Sequence, residues 1–268
     1  MEFELTRQNF PALIVLDEVD STNDELLRRF GAGGLADFSV VTTMNQTAGH
    51  GRLDRGWITP VGKGLATSVF IRFESIVDNS RLRHQVGWVS LLAGFAMVRA
   101  INPFLKSVDL RAFLKWPNDV LVDGKKICGV LGRVLDDNSG LIVGAGLNLT
   151  SEKSDLPFST STSLAQLGVT GNSIELADEV LLRYLLELRD GISRLAGSNS
   201  DDVASLKNEI GETCATLGER VRVQNPDGTE DLARAQALDD SGGLVVRLDS
   251  GLKSKVISAG DIVHLRYE

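Results

Sequence analysis

The pattern of apolar and polar positions divides the chain into two regions of different texture. Up to about residue 211, segments of period two alternate with longer stretches whose apolar residues recur every three or four positions. Residues 12–19 (ALIVLDEV) read as a first strand. A helix follows, with a capping-box spacing from Thr22 to Glu25, apolar Leu26, Leu27 and Phe30, and a stop at the glycines of 31–34. Residues 39–44 and 64–73 read as strands on either side of a loop, 45–62, too polar and glycine-rich for a regular element. The period predicts a long helix over 81–101, with Leu82, Val86, Val89, Leu92, Ala93, Ala96 and Val98 on its apolar side. Strands are expected at about 110–116, 119–122, 127–135 and 140–149, the last apolar enough to be central. Residues 150–165 are rich in Ser and Thr and read as loop, and helices are predicted at 173–196 and 200–210.

After Gly211 the texture changes. Five short strand patterns (219–224, 231–238, 243–248, 253–258 and 261–266) are punctuated by PDG, DSGG and DSG turns. That density predicts a small barrel or sandwich, with a domain boundary near residue 212 separating 1–211 from 212–268.

Composition narrows the function classes. At 268 residues, 43% hydrophobic and 24% charged, the chain can bury a sizeable core. Its 28 Lys+Arg against 36 Asp+Glu give a net charge of −8, which argues against a general nucleic-acid binder but leaves room for a local basic groove holding one nucleotide. Cys128 and Cys214 lie far apart and form no ligand motif, so Cys128 is expected to be a small reduced core residue. The three histidines (His50, His84, His264) lack zinc-site spacing. The N-terminus carries no charged leader before an apolar core, and no run of about 18 apolar residues is evident, so a cytoplasmic protein without membrane contact is expected.

Three segments stand apart from the core pattern. Ser21-Thr22-Asn23 sits at a strand-to-helix junction, where a hydroxyl serves either as an ordinary cap or, with the free N–H groups of the helix start, as a grip on a polar ligand head. The loop Gln46-Thr47-Ala48-Gly49-His50-Gly51-Arg52-Leu53-Asp54-Arg55-Gly56-Trp57 has glycines that let backbone wrap a ligand, and Arg52 and Arg55 suit phosphate oxygens. No GK[ST] follows, so it is not a Walker loop. The third is LKWPNDVLVDGKKICGVL at 114–131: a strand ends in Lys115-Trp116-Pro117-Asn118-Asp119, and an Asp-Gly turn leads to Lys125 and Lys126. Asp119 could hold a metal or orient a lysine, and Lys126, tied to the sheet by Ile127-Cys128-Gly129, could neutralise a phosphate. Gly144 and Gly146 suggest close approach of a ligand to backbone, and the Asn148 amide could read an adenine edge.

Taken together, four ordered motifs resemble the biotin protein ligases: Ser-Thr-Asn at 21–23, Gly-x-Gly-Arg at 49–52, Lys-Trp-Pro-Asn-Asp at 115–119 and Gly-Leu-Asn at 146–148. The resemblance runs from about residue 12 to the C-terminus. It implies an α+β fold, with a mixed β-sheet flanked by helices in a class II synthetase-like catalytic domain, and an SH3-like β-barrel at the C-terminus. The implied reaction joins biotin to ATP as biotinyl-5′-AMP with Mg²⁺, then transfers biotin to a lysine of a biotin carboxyl carrier domain of an acyl-CoA carboxylase.

Carried over by position, Ser21, Thr22, Asn23, Gln46, Gly49, His50, Gly51, Arg52, Lys126 and Gly129 would meet biotin, with Thr22 and Gln46 suited to its ureido group. Arg52, Arg55, Trp57, Lys115, Asn118 and Asn148 would meet the nucleotide. Lys126, Arg52 and Asp119 would carry the chemistry, Asp119 also being the candidate Mg²⁺ ligand. Trp57 and Trp116 would wall the apolar part of the ligand. The loop departs from the family pattern: His50 stands where an arginine is usual, and Leu53-Asp54 replaces a more basic or glycine-containing pair, so a looser clamp is expected. Only about 20 residues precede Ser21, too few for the helix-turn-helix of repressor-type members, so no DNA binding is expected. Monomer and homodimer both stay open. The alternatives are a lipoate-type acyl-carrier ligase, which shares the fold, and a non-catalytic biotin sensor.

Overall fold

A computed structural model describes residues 3–33, 35–73, 85–225, 227–249, 251, 254–258 and 264–267. Seven strands form one mixed sheet in the order β1 (Leu13–Leu16), β2 (Val40–Thr43), β5 (Gly64–Arg72), β9 (Gly140–Asn148), β8 (Lys125–Val134), β7 (Asp119–Val122), β6 (Ala112–Lys115). Only β1 and β2 run parallel; the other neighbours in this sheet are antiparallel. The pair β5–β9 is central and buried along almost its whole length, as the apolar pattern at 140–149 predicts.

The period of two sorts each strand between two faces. Val69, Ile71, Leu141 and Val143 face a large core shared with the helices α3 (Val86–Leu105) and α4 (Ser173–Ala196). Phe70 and Ile142 face the opposite side, where Leu26, Leu27 and Phe30 of α2 (Thr22–Gly31) cover them. Helix α5 (Ser200–Thr213) then leads into a five-stranded antiparallel sheet of β10 (Arg220–Gln224), β11 (Glu230–Leu238), β12 (Leu244–Leu248), β13 (Ser254–Ile257) and β14 (His264–Tyr267). The expected architecture, a helix-flanked mixed sheet with a small C-terminal β-domain, is the observed one.

Several local expectations need correction. The loop at 45–62 is not devoid of regular structure: β3 (Gly49–His50) and β4 (Gly56–Trp57) pair across a turn of 3₁₀ helix at Arg52–Asp54. The cap of α2 is Ser21 rather than Thr22; Ser21 Oγ accepts from Asp24 N at 3.3 Å. Glu25 binds Arg28 and Arg29 instead of closing a capping box. Helix α3 continues through Pro103 to Leu105, past the expected end at 101. Its expected start at 81, with Leu82, falls outside the described residues, as does His84. A short helix, α1 (Glu4–Asn9), has no periodic signal; Asp178 on α4 holds it by accepting from Leu5 N and Thr6 N, both at 2.9 Å. By length and composition Val86–Val108 could cross a membrane, contrary to the expectation that no such stretch exists. Here it is packed inside the protein, and that burial accounts for its apolarity.

Candidate active site

The face of the sheet beside α2 carries a cavity of about 730 Å³. Strand register explains why distant residues meet there. Cross-strand partners place Lys115 opposite Asp119, Asp119 opposite Gly129, Gly129 opposite Gly146 and Gly146 opposite Ala66, one row across five strands. The next row runs from Leu131 to Gly144 to Ser68. The glycines make these rows a trough. A Cβ at Gly144 would lie 2.5 Å from Asn23 Oδ1, and one at Gly146 would run into the Trp57 indole. The floor is therefore backbone, covered from above by Asn23 and Trp57.

Lys126 reaches this face through a bulge. Val120 pairs with Cys128 but Leu121 pairs with Lys126, so Ile127 is the extra residue. Strict alternation from Gly129 would turn Lys126 to the helix α3 side; the one-residue shift turns it into the cavity. Its Nζ lies 2.6 Å from Asp119 Oδ1 and 5.6 Å from the centre of the Trp57 ring. Asp119 is the one carboxylate among the described residues lining the cavity. It also acts on Arg52. Burial pushes the Arg52 guanidinium below its ordinary pKa, Asp119 draws it back up and Arg55 pushes it down. An arginine stays charged under all of these influences, so two cations converge on one carboxylate.

The polar end of the cavity is built by α2 and Gln46. Thr22 N donates to Gln46 Oε1 at 2.9 Å, and Thr22 Oγ1 donates to the same oxygen at 3.2 Å. Asn23 Nδ2 donates to Leu131 O at 3.4 Å. Asp20 braces the start of the helix, accepting from Ser21 N at 2.7 Å; the Arg28 guanidinium beside it holds its carboxyl down at about 2. At the other end Asn148, buried, donates from Nδ2 to Thr162 O at 2.9 Å.

Of the residues singled out from the sequence, Ser21, Thr22, Asn23, Gln46, His50, Gly51, Arg52, Arg55, Trp57, Lys115, Asn118, Asp119, Lys126, Gly129 and Asn148 all line this cavity. Gly49 does not. It pairs with Trp57 in the β3–β4 hairpin, where a side chain would strike Gln46. His50 is half exposed, with Nε2 3.2 Å from Asp24 Oδ2. Leu53 adopts φ 56°, a left-handed backbone that glycine would take without strain.

The sequence reading missed the segment Leu156-Pro157-Phe158 with Thr160 and Ser161, which forms one wall. Lys126 N donates to Thr160 O and Thr162 N to Lys126 O, at 2.8 and 2.9 Å, so this stretch is stitched to the strand that carries the lysine. Its Ser/Thr-rich texture gave no hint of that pairing. No group of three or more metal-ligating side chains occurs among the described residues.

A family model described as the biotin/lipoate A/B protein ligase family matches residues 15–148, and one described as the biotin protein ligase C-terminal domain matches 216–265. The biotin–[acetyl-CoA-carboxylase] ligase of Mycobacterium tuberculosis is 34% identical, over 95% of this chain and 89% of its own length. The bifunctional ligase/repressor BirA of Bacillus subtilis is 25% identical, over 92% of this chain and 72% of its own. The solved biotin protein ligase from Aquifex aeolicus in complex with biotin and ATP superposes with a TM-score of 0.75 at 25% identity, covering 96% of this chain and 99% of that one.

Proposed function

The chain belongs to the biotin/lipoate A/B protein ligase family, and we infer that it is an ATP-dependent ligase that attaches biotin to protein. It activates biotin as biotinyl-5′-AMP and transfers the acyl group to a lysine, for which we propose the carrier domain of an acyl-CoA carboxylase. One observation carries the reading: Lys126, Arg52 and the Ser21-Thr22-Asn23 cluster share a single cavity. We propose a cytoplasmic location, which the use of ATP and two buried free thiols support. We place the division between catalytic and C-terminal domains at residues 1–211 and 212–268.

The chemistry sets the roles. In the first step a biotin carboxylate oxygen attacks the α-phosphorus of ATP, and pyrophosphate leaves with the bonding pair. Two anions must approach, so fixed positive charge at the point of contact lowers the barrier. Lys126 Nζ is the candidate for the shared carboxylate and α-phosphate oxygens, with Arg52 and Arg55 on the phosphates. Asp119 orients the ammonium. Lys115, Asn118, Trp57 and Asn148 are proposed for the nucleotide, and Ser21, Thr22, Asn23, Gln46, His50, Gly51 and Gly129 for biotin. In the second step the acceptor amine attacks the acyl carbon and AMP departs. Mg²⁺ enters with ATP as part of that substrate, and Asp119, 2.6 Å from Lys126 Nζ, is the side chain we propose to meet it.

The test is a mass spectrum of a biotin carrier domain incubated with enzyme, biotin and Mg-ATP. One biotinyl group should be added, and Lys126→Ala should slow its addition by about 10²–10³-fold. Addition of lipoate in preference to biotin, or an unmodified carrier, would overturn the assignment.

A further inference from the structure

Ser68 lies beneath the polar end of the cavity without lining it. It is fully buried on β5, between Ala66, which lines the cavity, and Phe70, which packs under α2. Its Oγ sits 2.7 Å from Thr22 Oγ1 and 2.7 Å from Asn23 Oδ1. A serine hydroxyl has one hydrogen and cannot donate to both at once. When that hydrogen goes to Thr22, Thr22 passes its own to Gln46 Oε1, 3.2 Å away. When it goes to Asn23, the hydrogen of Thr22 fills the short contact to Ser68. In both arrangements the Thr22 hydrogen is used inside the protein, and Thr22 turns a lone pair to the cavity.

We propose that Ser68 is a positioning residue that commits Thr22 to accepting a hydrogen bond, and thereby selects a ligand presenting an N–H at this end of the site. The inference rests on the biotin reading and supplies it with a source of specificity. A ureido ring carries two N–H donors, whereas a dithiolane ring carries none. A ligand head with acceptors alone would set its lone pairs against Thr22 Oγ1 and leave buried oxygens without hydrogens, a loss that a site built for an N–H imposes strongly.

The test measures dissociation constants for biotin and for two analogues, each with one ureido N–H replaced by a ring oxygen, on the parent and on Ser68→Ala. The alanine variant should lose about tenfold in biotin affinity. Its loss for the analogue lacking the N–H opposite Thr22 should be under about twofold, because a released Thr22 can turn its hydrogen outward to meet the ring oxygen. The Michaelis constant for ATP should not move. Ser68→Cys keeps the shape but bonds weakly, so it should behave like the alanine variant and serves in its place if that fails to fold. Equal losses for biotin and both analogues, or parent-like binding by the cysteine variant, would make Ser68 a packing residue and overturn the proposal. A parent that fails to bind biotin would instead overturn the ligase reading itself.

Discussion

At the scale of single residues, two cations of the site converge on one carboxylate. Asp119 receives Lys126 at 2.6 Å and also draws on Arg52, so removing either cation leaves the other still held. His50 stands apart from them. Its contact with Asp24 at 3.2 Å is an ion pair only when the imidazole is protonated, and half of its side chain faces solvent. An arginine there would carry permanent charge and a planar fork to the same carboxylate and to a nearby phosphate. His50→Arg should therefore slow dissociation of biotinyl-5′-AMP by about two- to fivefold, the worth of a partly exposed ion pair. An unchanged release rate, followed by stopped-flow fluorescence, would remove His50 from the clamp. Residue identities were the most legible layer: fifteen of the sixteen candidate positions line the cavity, because polar groups at strand ends interrupt an otherwise apolar pattern. Ser68 escaped notice because a single hydroxyl inside an apolar strand looks like tolerated core polarity.

At the scale of elements, strands and helices were readable and the cavity wall at 156–161 was not. Period-two and period-3.6 patterns locate the long elements, since each buries one face. They say nothing about the bulge at Ile127, a property of pairing with β7, nor about 150–165, whose order comes from backbone bonds to Lys126 and Lys63. Lys63, at the foot of β5, receives Leu149 N and Thr150 N on its carbonyl oxygen, at 3.0 and 2.9 Å. Its Nζ lies 2.7 Å from Asp155 Oδ2, and Asp155 also accepts from Glu152 N at 2.7 Å. One lysine thus ties the 152–155 turn to the sheet just before Pro157 and Phe158 line the cavity. Lys63→Met keeps the aliphatic stem and cuts the tie. It should raise the Michaelis constant for ATP by about two- to fivefold, in keeping with a partly exposed pair, and leave the biotin dissociation constant unchanged. A shift in biotin affinity with none in ATP would mean that the turn braces the other end of the site.

At the scale of the whole molecule, the C-terminal part of the chain packs against the strand end that borders the candidate site. Trp116 sits between Lys115 and Asp119 and is almost completely buried. Trp116 N donates to Thr216 Oγ1 and Nε1 donates to Gly242 O, both at 3.0 Å. Beside it, Trp88 Nε1 donates to Asp240 O at 2.9 Å, and Gly87 has no side chain where the Ser241 carbonyl closes in. The turn between β11 and β12 is thus keyed into the start of α3 and the end of β6. A sequence can announce the turn through its DSGG, but not the tryptophans it meets more than a hundred residues earlier. Trp116→Phe would keep an aromatic ring, leave the Gly242 carbonyl without its donor and open a void beside it. Together these cost roughly 2–3 kcal/mol, to be read from the urea midpoint. Because the same residue fixes the strand end that presents Lys115 and Asp119, the folded variant should also bind ATP more weakly. If stability falls while ATP binding holds, the C-terminal domain supports the fold alone; if both fall together, it is part of the machinery that aligns the site.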